Sequence, residues 1–430
     1  MLPQGTCMDR RRLIAIFMIV FTNVLGGGVI LPILPLLAEG QMGATAFQAT
    51  ALNTAYWAAS FLAAPVLGRL SDIFGRRPVL IISQIGTVLS FVMFIFAGQM
   101  GAGLENAGLR LGISGALFVA YLARTLDGLT GGNITTAQAY ITDISTPETR
   151  AQALGTLSAG FGLGFIFGPV FGGFLATINV TAPFVGAALI TLGSVTLTTL
   201  ILPESLPPEM RASARQKDRT TTISTGQLLR ERGVTIVLVT NFMIVLAFAA
   251  LQSTFALFAD RVLFPELGGS QLVARNVGLL LTLVGIVSVL TQLFLIRPLI
   301  KRLGERRLVI VGISALALGF LATGLAQSVL VVAISIIPIS FGQGVIQPSL
   351  QSVITRFGTD QMRGRLLGIY QSASSLALIA GPLWGGYVFE QVNPHAPYLL
   401  SVPLLLLAAG CAFLLLRDPS AGRALQRSSS

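Results

Sequence analysis

Apolar stretches of about 20 residues follow one another along almost the whole chain, and this pattern closes off most folds. They fall at about 13–37, 47–67, 79–99, 114–142, 151–176 and 183–203, then at about 234–259, 276–296, 308–327, 329–354, 366–389 and 397–416. A helix rising ~1.5 Å per residue needs roughly 20 apolar residues to cross a ~30 Å hydrocarbon core. The expected fold is therefore all-α and integral to the membrane, with twelve transmembrane helices and both termini on one side. Only 10% of the 430 residues are charged, where soluble domains carry about 25%. A soluble chain of this length would leave its surface largely bare of charge.

The placement of charge orients the spans. Net charge is +11, from 28 Lys and Arg against 17 Asp and Glu. Of the basic residues 24 fall on the side of the termini, Arg110, Arg261 and Arg275 fall on the other, and Arg124 lies inside a span. That asymmetry assigns the termini to the cytoplasm and accounts for the basic balance without nucleic acid. The polar start of the chain is too short for a cleaved leader. The apolar run after it exceeds a leader's core of about 7–15 residues, so the first span is expected to be retained. Two lysines against 26 arginines suggest a GC-rich bacterium and hence its inner, plasma membrane. Cys7 lies in the N-terminal tail, Cys411 in the twelfth span, and His395 is the sole histidine. Neither a disulfide framework nor a metal or haem cofactor is expected from that material.

Residues 204–232, ESLPPEMRASARQKDRTTTISTGQLLRER, read as a cytoplasmic linker with a short surface helix near Thr225 to Arg232. It separates two six-span halves, 1–203 and 233–430. The halves repeat each other. RAQALG (150–155) and GPVFGG (168–173) match RGRLLG (363–368) and GPLWGG (381–386) at a constant offset of 213, and GRRPVLI (75–81) recurs as GERRLVI (304–310). Duplication of this kind points to a secondary transporter, in which substrate binds between two rocking halves.

Four sets of residues stand out. In GRLSDIFGRRP (68–78), between the second and third spans, Gly68 is expected to permit close packing and Gly75 to make a tight turn, while Arg76 and Arg77 hold the loop inside. Asp72, an acid in that basic turn, is positioned to accept bonds from an arginine or a helix N-terminus. In the fifth span GFGLGFIFGPVFGG (160–173) repeats glycine every four residues, at Gly160, Gly164, Gly168 and Gly172. Such a helix would be poor in water, since glycine costs roughly 1 kcal/mol and proline about 3. In lipid, small residues let backbones approach. Gly164, Gly168, Pro169, Gly172 and Gly173 therefore read as a close-packing surface, with Pro169 allowing a bend.

Arg124 lies about ten residues, or ~15 Å, into the fourth span. An ionisable group near the midplane costs at least ~2.5–3.5 kcal/mol and signals function unless it belongs to a purely structural pair. Asp127 is one turn on and within reach. Asn23, Asn53, Tyr56, Trp57, Gln252, Gln343 and Gln347 are candidate cavity liners or interhelical hydrogen-bonding groups. Together they suit a neutral or amphipathic substrate.

GRLSDIFGRRP resembles the helix 2–3 signature of the major facilitator superfamily, and the likeness covers essentially the whole chain. Within that superfamily the chain is most similar to the twelve-helix drug:proton antiporters of the tetracycline-efflux-like branch. VILPILP (29–35), ARTLDGLTGGN (123–133), AYITDISTPETRAQALG (139–155) and the glycine stripe carry this resemblance. It implies a fold of two pseudo-symmetric six-helix halves and a cytoplasmic gate drawn from Gly68, Asp72, Gly75, Arg76 and Arg77. Asp143 and Arg150, flanking the turn between the fourth and fifth spans, are assigned to the same gate. The resemblance further implies proton coupling at Arg124, and GPxxGG where the fifth helix meets the other half. It does not supply Asp127. The resembled pumps carry an acid in helix 1 where VFTNVLGG has Asn23, and another in helix 9 that GISALALGF (312–320) lacks.

The expected function is secondary active transport, with amphipathic small molecules exported in exchange for protons by alternating access. The alternative is a uniporter or symporter for a sugar or lipid-like metabolite. Lys217 is followed by Asp and Lys301 by Arg, so neither completes the phosphate cradle of an ATP-driven pump. No histidine lies at membrane depth to serve an intramembrane hydrolase. The expected partners are a small-molecule substrate, protons and the bilayer, with no cofactor, metal or nucleic acid and the chain working as a monomer.

Overall fold

The computed structural model describes residues 10–30, 33–108, 112–131, 133–146, 150–179, 181–206, 231–267, 270–357 and 363–417. Among them every regular element is helical, as a lipid-embedded backbone requires when each N–H and C=O must find a partner within its own segment. Arg110, linker residues 207–230 and most of the helix expected near Thr225 lie outside the described residues.

Two expected spans are divided rather than continuous. The first consists of α1 (Arg10–Ile30) and α2 (Leu34–Met42), with Pro35 in the first turn of α2, where a missing N–H leaves no bond unmade. The third breaks at Phe96 into α4 (Arg76–Ile95) and α5 (Ala97–Asn106), where AGQMGAGLEN holds three weakly helical glycines. The fourth is described as α6 (Gly115–Gly131) and α7 (Asn133–Ile144), with residue 132 outside the described part. The second, fifth and sixth are α3 (Ala46–Phe74), α8 (Arg150–Ala176) and α9 (Ala182–Ile201). The later spans follow as α10 (Arg232–Phe258), α11 (Ser270–Leu290), α12 (Ile296–Gly324), α13 (Val329–Thr355), α14 (Arg363–Gln391) and α15 (Ala396–Arg417).

Among the described residues eight stretches are long and apolar enough to cross a membrane. The longest, Leu272–Gly324, holds two of the expected spans, because α12 turns at Gly304 with φ 73. Gly75, at the matching point of the first half, turns with φ 103. Both are left-handed conformations that favour glycine, so the sequence repeat is also a repeat of backbone shape.

Contacts divide the chain into two compact units. The first gathers Met1–Ala44, Ala55–Thr220 and Ser270–Gly278; the second gathers Thr45–Thr54, Thr221–Gly269 and Leu279–Ser430. Each unit thus takes in one short piece that the sequence assigns to the opposite half.

In the first unit Ile16, Ile19, Leu80, Tyr140, Ile141 and Leu202 form one apolar cluster. Beside it Gln84 donates to Ser194 at 3.2 Å and accepts from Thr198 at 3.0 Å, an interhelical polar clasp. In the second unit Asn241 donates to Ser374 at 2.8 Å, and the Thr254 and Tyr398 hydroxyls lie 3.2 Å apart.

The glycine stripe requires a correction. A Cβ on Gly160, Gly164, Gly168 or Gly172 would strike α1, at Phe17, at Phe21 and Val24, at Gly28, and at Val29. Four glycines of α8 therefore seat α1 of their own half, and among the described glycines of α8 only Gly173 looks elsewhere, onto Gly278 of α11. The second unit repeats this arrangement. Gly381 and Gly385 pack on Ala249 and Ala250 of α10, while Gly386 meets Thr50 of α3.

Candidate functional site

Arg124 and Asp127 lie on one face of α6, three residues apart, with Nη1 of Arg124 3.0 Å from Oδ2 of Asp127. Their side chains are 1% and 5% exposed. Asp127 is the only Asp or Glu among the buried described residues. Thr87 of α4 also hydrogen-bonds the Asp127 side chain. The guanidinium faces aromatic rings, 5.2 Å from the centroid of Tyr56 and 5.9 Å from that of Phe94, where the ring quadrupole favours a cation. Gly128 lets α6 approach the backbone of α3 at Tyr56. A buried pair of this kind is costly to assemble and costlier to break, about 3–5 kcal/mol when one partner is removed.

The cavity candidates divide between the units. Asn23 is half-buried on α1, and Tyr56 and Trp57 are half-buried on α3 with their rings edge to face at 5.0 Å. Asn53 is buried on α3 within the second unit, whereas Gln252 of α10 and Gln343 and Gln347 of α13 are half-buried there. The structure brings Tyr56 to Arg124, and it brings Gln347 to the Tyr370 hydroxyl at 3.0 Å. Tyr370 had no signal in the sequence beyond being a buried aromatic residue.

A second constellation surrounds the turn at Gly75. Arg76 Nη1 lies 2.5 Å from Asp72 Oδ1 and 2.7 Å from Ser71 Oγ, and its Nε lies 3.1 Å from Asp143 Oδ2. Arg77 donates to the carbonyl of Thr199 at 2.5 Å. Glu204 joins the cluster from beyond α9, accepting the N–H of Arg76 at 2.9 Å and of Arg77 at 3.2 Å. Ser205 donates to Asp143 at 3.0 Å. Glu204 and Ser205 were assigned to the linker, yet they are built into the turn. Only their position straight after an apolar span could have singled them out.

One assignment is placed differently, and one lies outside the described side chains. Gly68 has open space around it, with nothing within 4 Å of a Cβ there, so it supports no close packing. Arg150 begins α8, and its side chain lies outside the described part.

The profile of the Major Facilitator Superfamily matches residues 16–274 and 258–430. The chain belongs to that superfamily. It is a multi-pass membrane transporter rather than an enzyme. It is 32% identical over 410 residues to the class C tetracycline resistance protein of Escherichia coli, covering 91% of this chain and 96% of that one. Similarity to multidrug resistance protein 2 of Bacillus subtilis is 28% over 405 residues, covering 92% and 94%. Among solved structures it resembles the human organic anion transporter TETRAN, with TM-score 0.66, 22% identity and coverage of 95% and 100%. It also resembles a D-xylose-proton symporter, with TM-score 0.70, 16% identity and coverage of 94% and 97%. At those identities the structural likenesses speak to the fold. The superfamily assignment confirms the all-α architecture expected from the apolar stretches.

Proposed function

We propose that this major facilitator protein exports amphipathic small molecules in exchange for protons by alternating access, and that Asp127 carries the proton. The observation that supports this most is the Arg124–Asp127 pair, buried at 3.0 Å in a chain with Asn23 at the position where the resembled pumps have a helix 1 acid. A buried carboxylate beside an arginine exists in two states. Paired with Arg124 it is held in one; when substrate or a conformational change draws the guanidinium away it is released to exchange a proton. Proton and substrate then bias opposite conformations, which couples their movements.

Tetracycline and multidrug relatives at 28–32% identity over most of the chain support an amphipathic cargo. The half-buried amides and aromatic rings named above suit such a molecule better than a strongly charged one. The turn at Gly75, with Asp72, Arg76, Arg77 and Asp143, serves as the cytoplasmic gate. The 24 basic residues on the side of the termini support that orientation and an inner-membrane location.

Asp127→Asn tests the assignment. The variant should lose flux driven by a pH gradient while keeping exchange of labelled tetracycline at equal concentrations. Continued accumulation against a gradient would make Asp127 structural. Asn23 favours one further reading, a uniporter, and indifference of the wild type to pH would select it.

A further inference from the structure

The second unit carries an ion pair that repeats one in the first unit with both signs exchanged. Glu305 follows Gly304 as Arg76 follows Gly75, an offset of 229. Arg356 stands 213 residues after Asp143, the offset that also relates GPVFGG to GPLWGG. Arg76 Nε lies 3.1 Å from Asp143 Oδ2, and Arg356 Nη2 lies 2.6 Å from Glu305 Oε2. Ser352 of α13 donates to the other oxygen of Glu305 at 2.8 Å. A neighbouring contact repeats without inversion. Arg77 donates to the Thr199 carbonyl at 2.5 Å, and Arg306 donates to the Leu415 carbonyl at 3.1 Å. One scaffold therefore holds opposite charges in its two copies.

Local electrostatics account for the exchange. A helix N-terminus carries roughly half a positive charge, which disfavours a cation. Arg76 begins α4, and Glu204 must come from another segment to accept the first N–H groups. After the turn at Gly304 the helix resumes on Glu305, whose own carboxylate has the favoured sign. Glu305 is also the one acid among Lys301, Arg302, Arg306 and Arg307. Its side chain is 17% exposed and that of Arg356 38%, so the pair is more enclosed than a solvated surface contact.

We propose that Glu305 and Arg356 are positioning residues for transport. They latch the turn at Gly304 to the end of α13, and the polarity of the latch is set within its own unit. The inference rests on the chain being a transporter and not on the drug or proton parts of the proposed function.

Glu305→Arg and Arg356→Glu, made singly and together in the full chain, test it. Flux of labelled tetracycline and of ethidium is measured in proteoliposomes, with thermal unfolding of each purified protein followed in parallel. Each single reversal should cut maximal flux roughly tenfold with KM within about twofold of wild type. The double reversal should recover part of the lost flux and unfolding temperature, short of wild type because the cation then meets a helix N-terminus and four basic neighbours. Single variants that transport normally would make the pair a solvated contact and overturn the proposal. A double variant as inactive as the worse single would show that the two side chains do not act as a pair, and would overturn it equally. If the wild type moves neither tracer, the drug-export reading fails on its own, and the unfolding data decide the latch. Coupling between the two reversals supports it and simple additivity overturns it.

Discussion

A Cβ on Gly173 would fall 2.5 Å from the Cα of Gly278, and one on Gly278 would fall 2.6 Å from the Cα of Gly173. In the first unit α8 and α11 therefore meet backbone against backbone, at a point where no side chain fits. Gly173→Leu should separate the helices, costing about 1–3 kcal/mol as overpacking does. Thermal unfolding in detergent should shift down and substrate flux should fall. Gly193→Ala, at a glycine with nothing within 4 Å, should leave both unchanged.

Glu204 accepts from the first two N–H groups of α4. Glu204→Ala removes that cap and should cost about 1 kcal/mol. Glu204→Gln keeps an acceptor but loses the charge that complements the helix N-terminus, so its loss should be smaller. Unfolding temperatures of the two variants should therefore rank alanine below glutamine, with wild type highest. Equal values for all three would mean that water replaces the carboxylate at no cost.

Asp72 is one of two carboxylates holding Arg76, and its side chain is 49% exposed. An exposed pair contributes only about 0.2–1 kcal/mol, and Asp143 still holds the guanidinium when Asp72 is neutralised. Asp72→Asn should thus fold normally. If the turn is a gate, the variant should bind substrate with unchanged affinity and turn over more slowly, because it biases a two-state equilibrium rather than the pocket. Normal flux at unchanged expression would remove Asp72 from the gate.

The membrane fold was legible because bilayer thickness sets a length that a sequence displays directly, and the GPxxGG repeat announced the duplication. Helix breaks were not legible. Phe96 interrupts the third span inside an unbroken apolar run, since hydropathy does not register backbone geometry. The stripe at Gly164, Gly168 and Gly172 was recognisable as a packing face, but which helix it packs on depends on rotation about the axis, and α1 turned out to be the partner. Arg124 and Asp127 could be paired from spacing alone because neighbours three apart share a helix face. Glu204 could not be placed, because its partners lie 127 and 128 residues away.

Removing Arg124 should be more damaging than removing both partners. Arg124→Leu leaves a buried carboxylate unpaired, at a cost of about 3–5 kcal/mol, whereas the double change to Leu and Asn leaves none. Folded yield and unfolding temperature should be lower for the single variant than for the double. Equal yields would mean that the carboxylate finds another donor.

The central claim is that substrate and protons move in opposite directions through Asp127. It is tested most directly by uptake of labelled tetracycline into proteoliposomes with an acidic lumen, set against protein-free liposomes at the same pH gradient. The account predicts protein-dependent accumulation that collapses when the gradient is dissipated, and that Asp127→Asn abolishes while still exchanging tetracycline at equal concentrations. Accumulation by Asp127→Asn equal to that of the wild type, or wild-type uptake indifferent to the gradient, would contradict it.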